Sequence, residues 1–230
     1  MANFAISDIH GCNKSFLALL KKLNLRKGDT LYLLGDLINK GPDSIGVLNT
    51  VLELIRNKID VKPLKGNHEQ MLIDVIRIGQ PKINPFVRKM LNLEKESAIP
   101  EHLLEWISQW PYFYENDHFV FVHAGLNFEI ENVFDDLKSM VYIRDNTIMP
   151  EKIDHRRLIH GHTPQTVLST QKQIDNMKPA INIDGGCVMY RSKKLAHLMA
   201  LDLDFLHLIV QPNIDHQPKA KLSKEVSSQL

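Results

Sequence analysis

Near its start the chain carries SDIHGC, Ser7 to Cys12, with a carboxylate (Asp8) and an imidazole (His10) two residues apart. On a strand, positions i and i+2 point to the same side, so this pair is expected to address one point in space. Asp36, the Asn67–His68 pair, His123 and His162 follow, each just past a short apolar run. Oxygen and imidazole donors without thiolates are a ligand set for borderline divalent ions. A dinuclear centre asks for roughly six protein ligands around ions about 3.5–4 Å apart, one of them shared. Asp8, His10, Asp36, Asn67, His123 and His162 fill that requirement, with Asp36 the natural bridge. Two ions so close acidify a water between them and cancel charge on phosphate oxygens, so the chemistry expected is phosphoester hydrolysis. Singly, each residue has a plainer reading: a strand-end turn at Asp8 and His10, a loop cap at Asp36, a turn former at Asn67, a helix cap at His68. The series, not any member, points to a metal site.

The elements that must position these residues are legible as periodicities. ANFAIS, TLYLLGD and DVKPLKGN read as strands, the last with Pro63 suggesting irregular pairing. Helical patterns follow each, with Phe16, Leu19, Leu20 and Leu23 on the first and Ile45, Leu48, Val51, Leu52 and Ile55 on the second, where Pro42 suits the first helical position. EQMLIDVIRIG supplies the third helix. Strand then helix, repeated, predicts parallel βαβ units and an α/β fold. Residues from about 80 to 110 break the rhythm and are expected to be a small helical insertion, with Trp106 and Trp110 at i, i+4 forming its core or, alternatively, lining a substrate groove. HFVFVHAG, RRLIHGHTP and AINIDGG are further strands, and KLAHLMALDL with FLHLIV predicts a closing hairpin around Asp202–Asp204. A single domain is expected over 1–211, and 212–230 has the polar composition of a disordered tail. Ligands in α/β sheets bind outside the carboxyl ends of strands, where all the candidate ligands fall.

At 230 residues, with 43% hydrophobic and 24% charged residues, the composition is that of a globular protein. A formal net charge of +1 argues against a broad nucleic-acid surface, and no apolar run approaches a membrane span. Without a recognisable signal peptide, a cytoplasmic location is expected, with Cys12 and Cys187 as reduced thiols rather than one disulfide. Cys12 is expected to pack beneath the site as a small hydrophobe. The sequence carries no readable signal for oligomeric state.

SDIHG, GDLINKGPDS, GNHEQM, FVHAG and HGHTP, in this order, resemble the motifs of the calcineurin-like metallophosphoesterases, most closely the bacterial and phage branch of the phosphoprotein phosphatases. The resemblance implies a four-layer sandwich: two packed mixed β-sheets flanked by helices. It implies that Asp8 and His10 hold one metal with the bridging Asp36, and that Asn67, His123 and His162 hold a second. It further implies in-line attack by a hydroxide between the ions, with His68 as general acid and Asn67, Arg144 and Lys40 on the phosphate oxygens, the match at Arg144 being looser. The ligands tolerate manganese foremost, and iron or zinc. In HGH only His162 matches. His160, one step back in the strand, reads as a buried supporting residue, as does Asp184 in NIDGG.

Two positions depart from the pattern. Relatives commonly carry Asp-Arg where this chain has Asn39 and Lys40. The aspartate is expected to accept a hydrogen bond from the general-acid histidine; Asn39 accepts one without charge, so a lower His68 pKa follows. Lys40 keeps the charge without the two-pronged grip of arginine. Three functions are therefore weighed. The leading expectation is a serine/threonine protein phosphatase acting on a phosphorylated protein or small phosphoester. The alternative is a hydrolase of diadenosine polyphosphates, favoured by the missing aspartate but disfavoured by Glu69 after the Asn-His pair and by the short stretch between HAG and GH. The third is a weakly active protein that binds metal and phospho-ligands.

Overall fold

In the computed structural model, the described residues are 1–78, 85–95, 97–98, 100–144 and 147–216. Strands β1 (Asn3–Ile6), β2 (Thr30–Leu33) and β3 (Asp60–Pro63) alternate with helices α1 (Asn13–Leu23), α2 (Ser44–Arg56) and α3 (Asn67–Ile78). Two short helices follow, α4 (Pro85–Leu91) and α5 (Glu101–Ser108), then β4 (Phe113–Glu115), β5 (Phe119–Val122) and α6 (Leu137–Tyr142). After a 3₁₀ turn at Pro150–Ile153 come β6 (Arg157–His160), α7 (Val167–Asp175), β7 (Ala180–Asn182), β8 (His197–Asp202) and β9 (His207–Pro212).

The strands form two mixed sheets, one ordered β3-β2-β1-β8-β9 and the other β4-β5-β6-β7. In the first, β1, β2 and β3 are parallel and β8–β9 is the expected closing hairpin, antiparallel to β1. In the second, β4 runs antiparallel to β5 while β5, β6 and β7 are parallel. Alternation along the strands divides the core. Ala5, Leu34, Met199 and Leu201 face Phe121, Ile159 and Ile181 between the sheets, where Tyr32 stacks on Phe121 at 3.9 Å. Phe4, Ile6, Leu198 and Ala200 face the other way, onto Phe16, Leu19, Leu48 and Val51 of α1 and α2. The outer face of the second sheet is covered by Leu126, Phe128, Val133, Met140 and Ile153. This is the expected sandwich of two mixed sheets flanked by helices.

Several local expectations shift. α2 begins at Ser44 with Asp43 as its cap, accepting from Gly46 N at 2.8 Å, so Pro42 precedes the helix. β3 pairs regularly with β2, and Pro63 is tolerated as the last residue of an edge strand. α4 and α5 lie in the expected insertion, where Trp110 is buried and meets Trp106 edge-on at 5.0 Å within the core.

The boundary expected at Pro212 falls inside β9, whose Pro212 pairs with His197. Beyond it, Asp215 accepts from the backbone N–H groups of Lys14 and Ser15, each at 2.9 Å, capping α1 from the far end of the chain. Asn213 donates to the carbonyl of Cys187 at 2.9 Å and lies 3.4 Å from the Cys12 sulfur. Both cysteines are buried free thiols, Cys12 packed in the core beside the loop that carries His10. Residues 217–230 of the expected tail lie outside the described residues. Among the described residues, no helix is long and apolar enough to cross a membrane.

Candidate active site

The candidate ligands meet at the carboxyl ends of the strands. β1 ends at Ile6, so Asp8 and His10 belong to the loop that follows, and strand alternation is not what brings them together. Their backbones are left-handed, with φ of 52° and 48°, as are those of Asp36 (54°) and His162 (69°). Such conformations are uncommon outside glycine, and Asp, Asn and His tolerate them best. At a functional site such strain persists because the surroundings over-determine it. Here His10 N donates to Asp36 O at 2.8 Å, and Gly161 N to His123 O at 2.8 Å, tying the ligand loops to each other. Gly161 is required: a Cβ there would collide with Ser7 Oγ and the Asp8 carboxylate.

Asp36 is at the centre. Its Oδ2 lies 3.4 Å from His10 Nε2 and 3.8 Å from His68 Nε2, and its Oδ1 lies 3.5 Å from His123 Nε2. Among the described residues, two potential metal-holding groups result, His10–Asp36–His68 and Asp36–His123–His162, and Asp36 is shared by both. Asp8 adjoins the first, its Oδ1 3.8 Å from His10 Nε2, and Asn67 adjoins the second, its Oδ1 3.2 Å from His123 Nε2. His10 Nδ1 faces the carbonyl of Ile38 at 3.2 Å, and His123 Nδ1 that of Leu34 at 2.8 Å. Donating Nδ1–H to a carbonyl leaves Nε2 as the lone-pair donor, the usual arrangement behind a metal-ligating histidine.

The electrostatics agree with a cation. Burial, then the neighbouring Asp8 and Glu69 charges, holds the Asp36 carboxyl well above the usual carboxylate range. Burial, then Lys40, pushes His10 well below the usual histidine range, and burial followed by His123 pulls His162 down to about 4. Deprotonated imidazoles beside crowded carboxylates are the donor set a divalent ion requires. The residues present fit such ions.

One functional residue the motifs did not expose is Glu69. Fully buried, its Oε2 accepts from Asp36 N and Gly66 N, both at 2.8 Å. Its Oε1 accepts from Leu37 N at 2.9 Å and Ile38 N at 3.3 Å. One carboxylate thus clasps the loop carrying Asp36 to the loop carrying Asn67. In the sequence Glu69 is only the residue after the Asn-His pair, a mark of family branch, and gives no hint of this clasp.

Asn39 departs from its expected part. Its Oδ1 accepts from Lys40 N at 2.8 Å, which turns its Nδ2 toward His68 Nδ1, 2.8 Å away. Asn39 therefore donates to His68 instead of accepting from it, which puts the proton of the neutral imidazole on Nε2, the atom facing Asp36, and leaves His68 beside the first group without a lone pair there for a metal. The His68 pKa is lowered to about 3, as expected in direction, but burial is the first cause, followed by His10 and Lys40. Lys40 places its Nζ 3.0 Å from His10 Nε2, inside the site. Arg144 is exposed beyond α6, and its charge reaches His162. His160 is buried outside both groups, its Nδ1 3.2 Å from the Gly161 carbonyl, and Asp184 Oδ1 accepts from Gly186 N at 2.8 Å to shape the following turn.

The family model of the calcineurin-like phosphoesterases matches residues 4–205. The chain belongs to that family. Its relatives within these phosphoesterases include the symmetrical bis(5'-nucleosyl)-tetraphosphatase of Chromobacterium violaceum, 29% identical over 209 residues, 89% of this chain and 70% of that protein. Proteins of the same name from Nitrosomonas europaea and Escherichia coli are 34% and 36% identical over 57% and 55% of the chain. The chain spans about half the length of these two, 48% and 44%. A crystal structure of a candidate diadenosine tetraphosphatase shares the fold with a TM-score of 0.62 at 21% identity, covering 92% of this chain and 93% of its own. A serine/threonine phosphatase of Saccharomyces cerevisiae does so with a TM-score of 0.59 at 13%, covering 94% of this chain and 81% of its own. As a phosphoesterase of this family the chain is a hydrolase. Against the sequence-based preference for a phosphoprotein substrate, these relatives by sequence are nucleotide hydrolases, and the protein phosphatase is a likeness of fold alone.

Proposed function

We propose that this phosphoesterase hydrolyses dinucleoside polyphosphates, with diadenosine tetraphosphate as the type substrate, in a site holding two divalent ions, manganese foremost. The observation that carries the reading is the likeness to symmetrical bis(5'-nucleosyl)-tetraphosphatases along 89% of the chain. Ions held by Asp8, His10, Asp36, Asn67, His123 and His162 would supply Lewis acidity and a water acidic enough to lose its proton near neutral pH. The chain's own residues do the rest. Lys40 and Arg144 bring positive charge to the phosphate oxygens, and His68 holds a proton on Nε2 for the leaving oxygen.

Chemistry at His68 supports the same substrate class. The leaving oxygen of a phosphoanhydride is far less basic than a serine or threonine alkoxide, so its departure needs less acid assistance. A neutral His68, fixed by an uncharged Asn39, suits the weaker demand. Asn39→Asp should give His68 an anionic partner and shift the balance. Its ratio of phosphothreonine-peptide to dinucleotide turnover should rise about tenfold, a part of the roughly hundredfold or more that a general acid contributes. An unchanged ratio would detach Asn39 from leaving-group preference.

The deciding experiment compares diadenosine tetraphosphate, a phosphothreonine peptide and p-nitrophenyl phosphate after chelation and after return of Mn²⁺. The expected result is Mn²⁺-restored cleavage of the dinucleotide to ADP, with kcat/KM at least about tenfold above the other two substrates. A preference for the phosphopeptide would return the chain to the protein phosphatases. No turnover on any substrate would leave a binding protein.

A further inference from the structure

A cavity of about 450 Å³ opens between α3 and α6, within the roughly 300–1,000 Å³ common for small-molecule sites. One wall is α3, the helix that begins with Asn67 and His68 and presents Gln70 and Asp74 to the cavity. The facing wall is α6, presenting Leu137, Val141 and Tyr142. α6 is fastened to the site directly: Ala124, next to His123, donates its N–H to the carbonyl of Met140 at 2.7 Å. Arg144, whose charge reaches His162, follows Tyr142 by two residues. The two walls of the cavity are therefore tied to the loops that carry Asn67, His68 and His123, yet none of its lining residues belongs to the ligand set.

Its lining has the chemistry of a base-binding slot. Tyr112 is held in place by donating its hydroxyl to Gln70 Oε1 at 2.7 Å, with Lys65 Nζ 4.7 Å from its ring centre. Tyr142, last residue of α6 and 39% exposed, offers a second aromatic face, and Leu137 and Val141 add an apolar side. Gln70 Nε2 donates to Asp74 Oδ1 at 2.7 Å, which leaves Asp74 Oδ2 as an acceptor at the rim. Burial, then the charges of Asp74 and Asp36, raises the Tyr142 phenol, so this ring stays a neutral stacking surface.

We infer that the cavity between α3 and α6 receives one adenine base of the substrate, stacked on Tyr142 and held through its exocyclic amino group by Asp74, while the phosphate chain runs past Arg144 to the ligand cluster. Aromatic faces bind any base, and the acceptor at Asp74 selects an amino-bearing edge. The inference rests on the nucleotide-hydrolase reading for the polyphosphate chain only. The base pocket itself can be tested without turnover.

Calorimetry would compare AMP with ribose 5-phosphate, which lacks only the base, on the Mn²⁺-loaded protein and on Tyr142→Ala and Tyr142→Phe. AMP should bind the unaltered protein about tenfold more tightly, the scale of one base–aromatic stack. Tyr142→Ala should erase that gap, and Tyr142→Phe, which keeps the ring, should retain it. Equal binding of AMP and ribose 5-phosphate by the unaltered protein, or a gap that survives Tyr142→Ala, would overturn the pocket. A gap that behaves as expected in a protein unable to cleave diadenosine tetraphosphate would support the pocket and sink the proposed function, so the two failures are distinct.

Discussion

Asp36→Asn should lower kcat/KM by about a thousandfold or more and reduce bound metal from two ions to at most one, the scale expected when a dinuclear site loses its bridge. The substitution keeps shape and can keep the 3.0 Å hydrogen bond from His68 N to Oδ1. What it removes is the charge, and the only carboxylate common to both potential metal groups. Its effect on the metal-free fold should have the opposite sign. Asp36 is buried with Asp8 and Glu69 raising its pKa, so its charged form is resisted by the site that holds it. A neutral isostere relieves that repulsion and should stabilise the chelated protein by about 1 kcal/mol, a typical exchange of function for stability. Metal analysis, turnover and urea unfolding with chelator would read all three. Activity within tenfold of the unaltered protein, with both ions retained, would remove Asp36 from the bridging position.

The second large effect should come from Glu69→Gln, which touches neither metal nor substrate. Four backbone N–H groups now converge on its carboxylate. An amide replaces one acceptor oxygen by a donor, leaving two of those N–H groups facing another N–H in a dry interior. At roughly 1–3 kcal/mol per stranded group, the loss should be about 2–6 kcal/mol, seen as a lower urea midpoint with an unchanged m-value. Turnover should fall as well, because the loops that present Asp36 and Asn67 are released together. Glu69→Asp, one methylene shorter, keeps the charge and should fall between. A Glu69→Gln variant within 1 kcal/mol of the original would mean water or backbone movement replaces the clasp.

How much of this was legible follows from what each residue shows in one dimension. Asp8, His10, Asp36, Asn67, His123 and His162 carry their chemistry in their identity and fall after apolar runs, so their convergence could be expected before any fold was known. The route by which Asp8 and His10 converge was not legible, because a left-handed backbone leaves no periodicity; only the residue types that tolerate it hint at it. Glu69 was illegible for another reason: its partners are main-chain groups, which every residue carries. Likewise Asn213–Asp215 has the composition of a tail, and its contacts with α1 and Cys187 lie about 200 and 26 positions away. The cavity proposed for the base was least legible, since Tyr112, Tyr142 and Gln70 come from separate segments that only the fold brings together.

The Asp215 cap on α1 also bears on the order in which the molecule is made. In chain order the loop from Asp8 to Cys12 comes well before the elements that fix it: β1 gains its second neighbour only with β8, and α1 its cap only with Asp215. The His162 N–H that holds the Asp8 carboxylate at 2.9 Å arrives 154 residues after it. Contacts of such sequence separation form late, because the chain entropy of closing them is lost before they return any stability. During synthesis the nascent chain therefore exposes the donor residues without the geometry to retain two ions. Metal acquisition is expected to wait for synthesis of β8 and of Asp215, and not for emergence of the ligands alone.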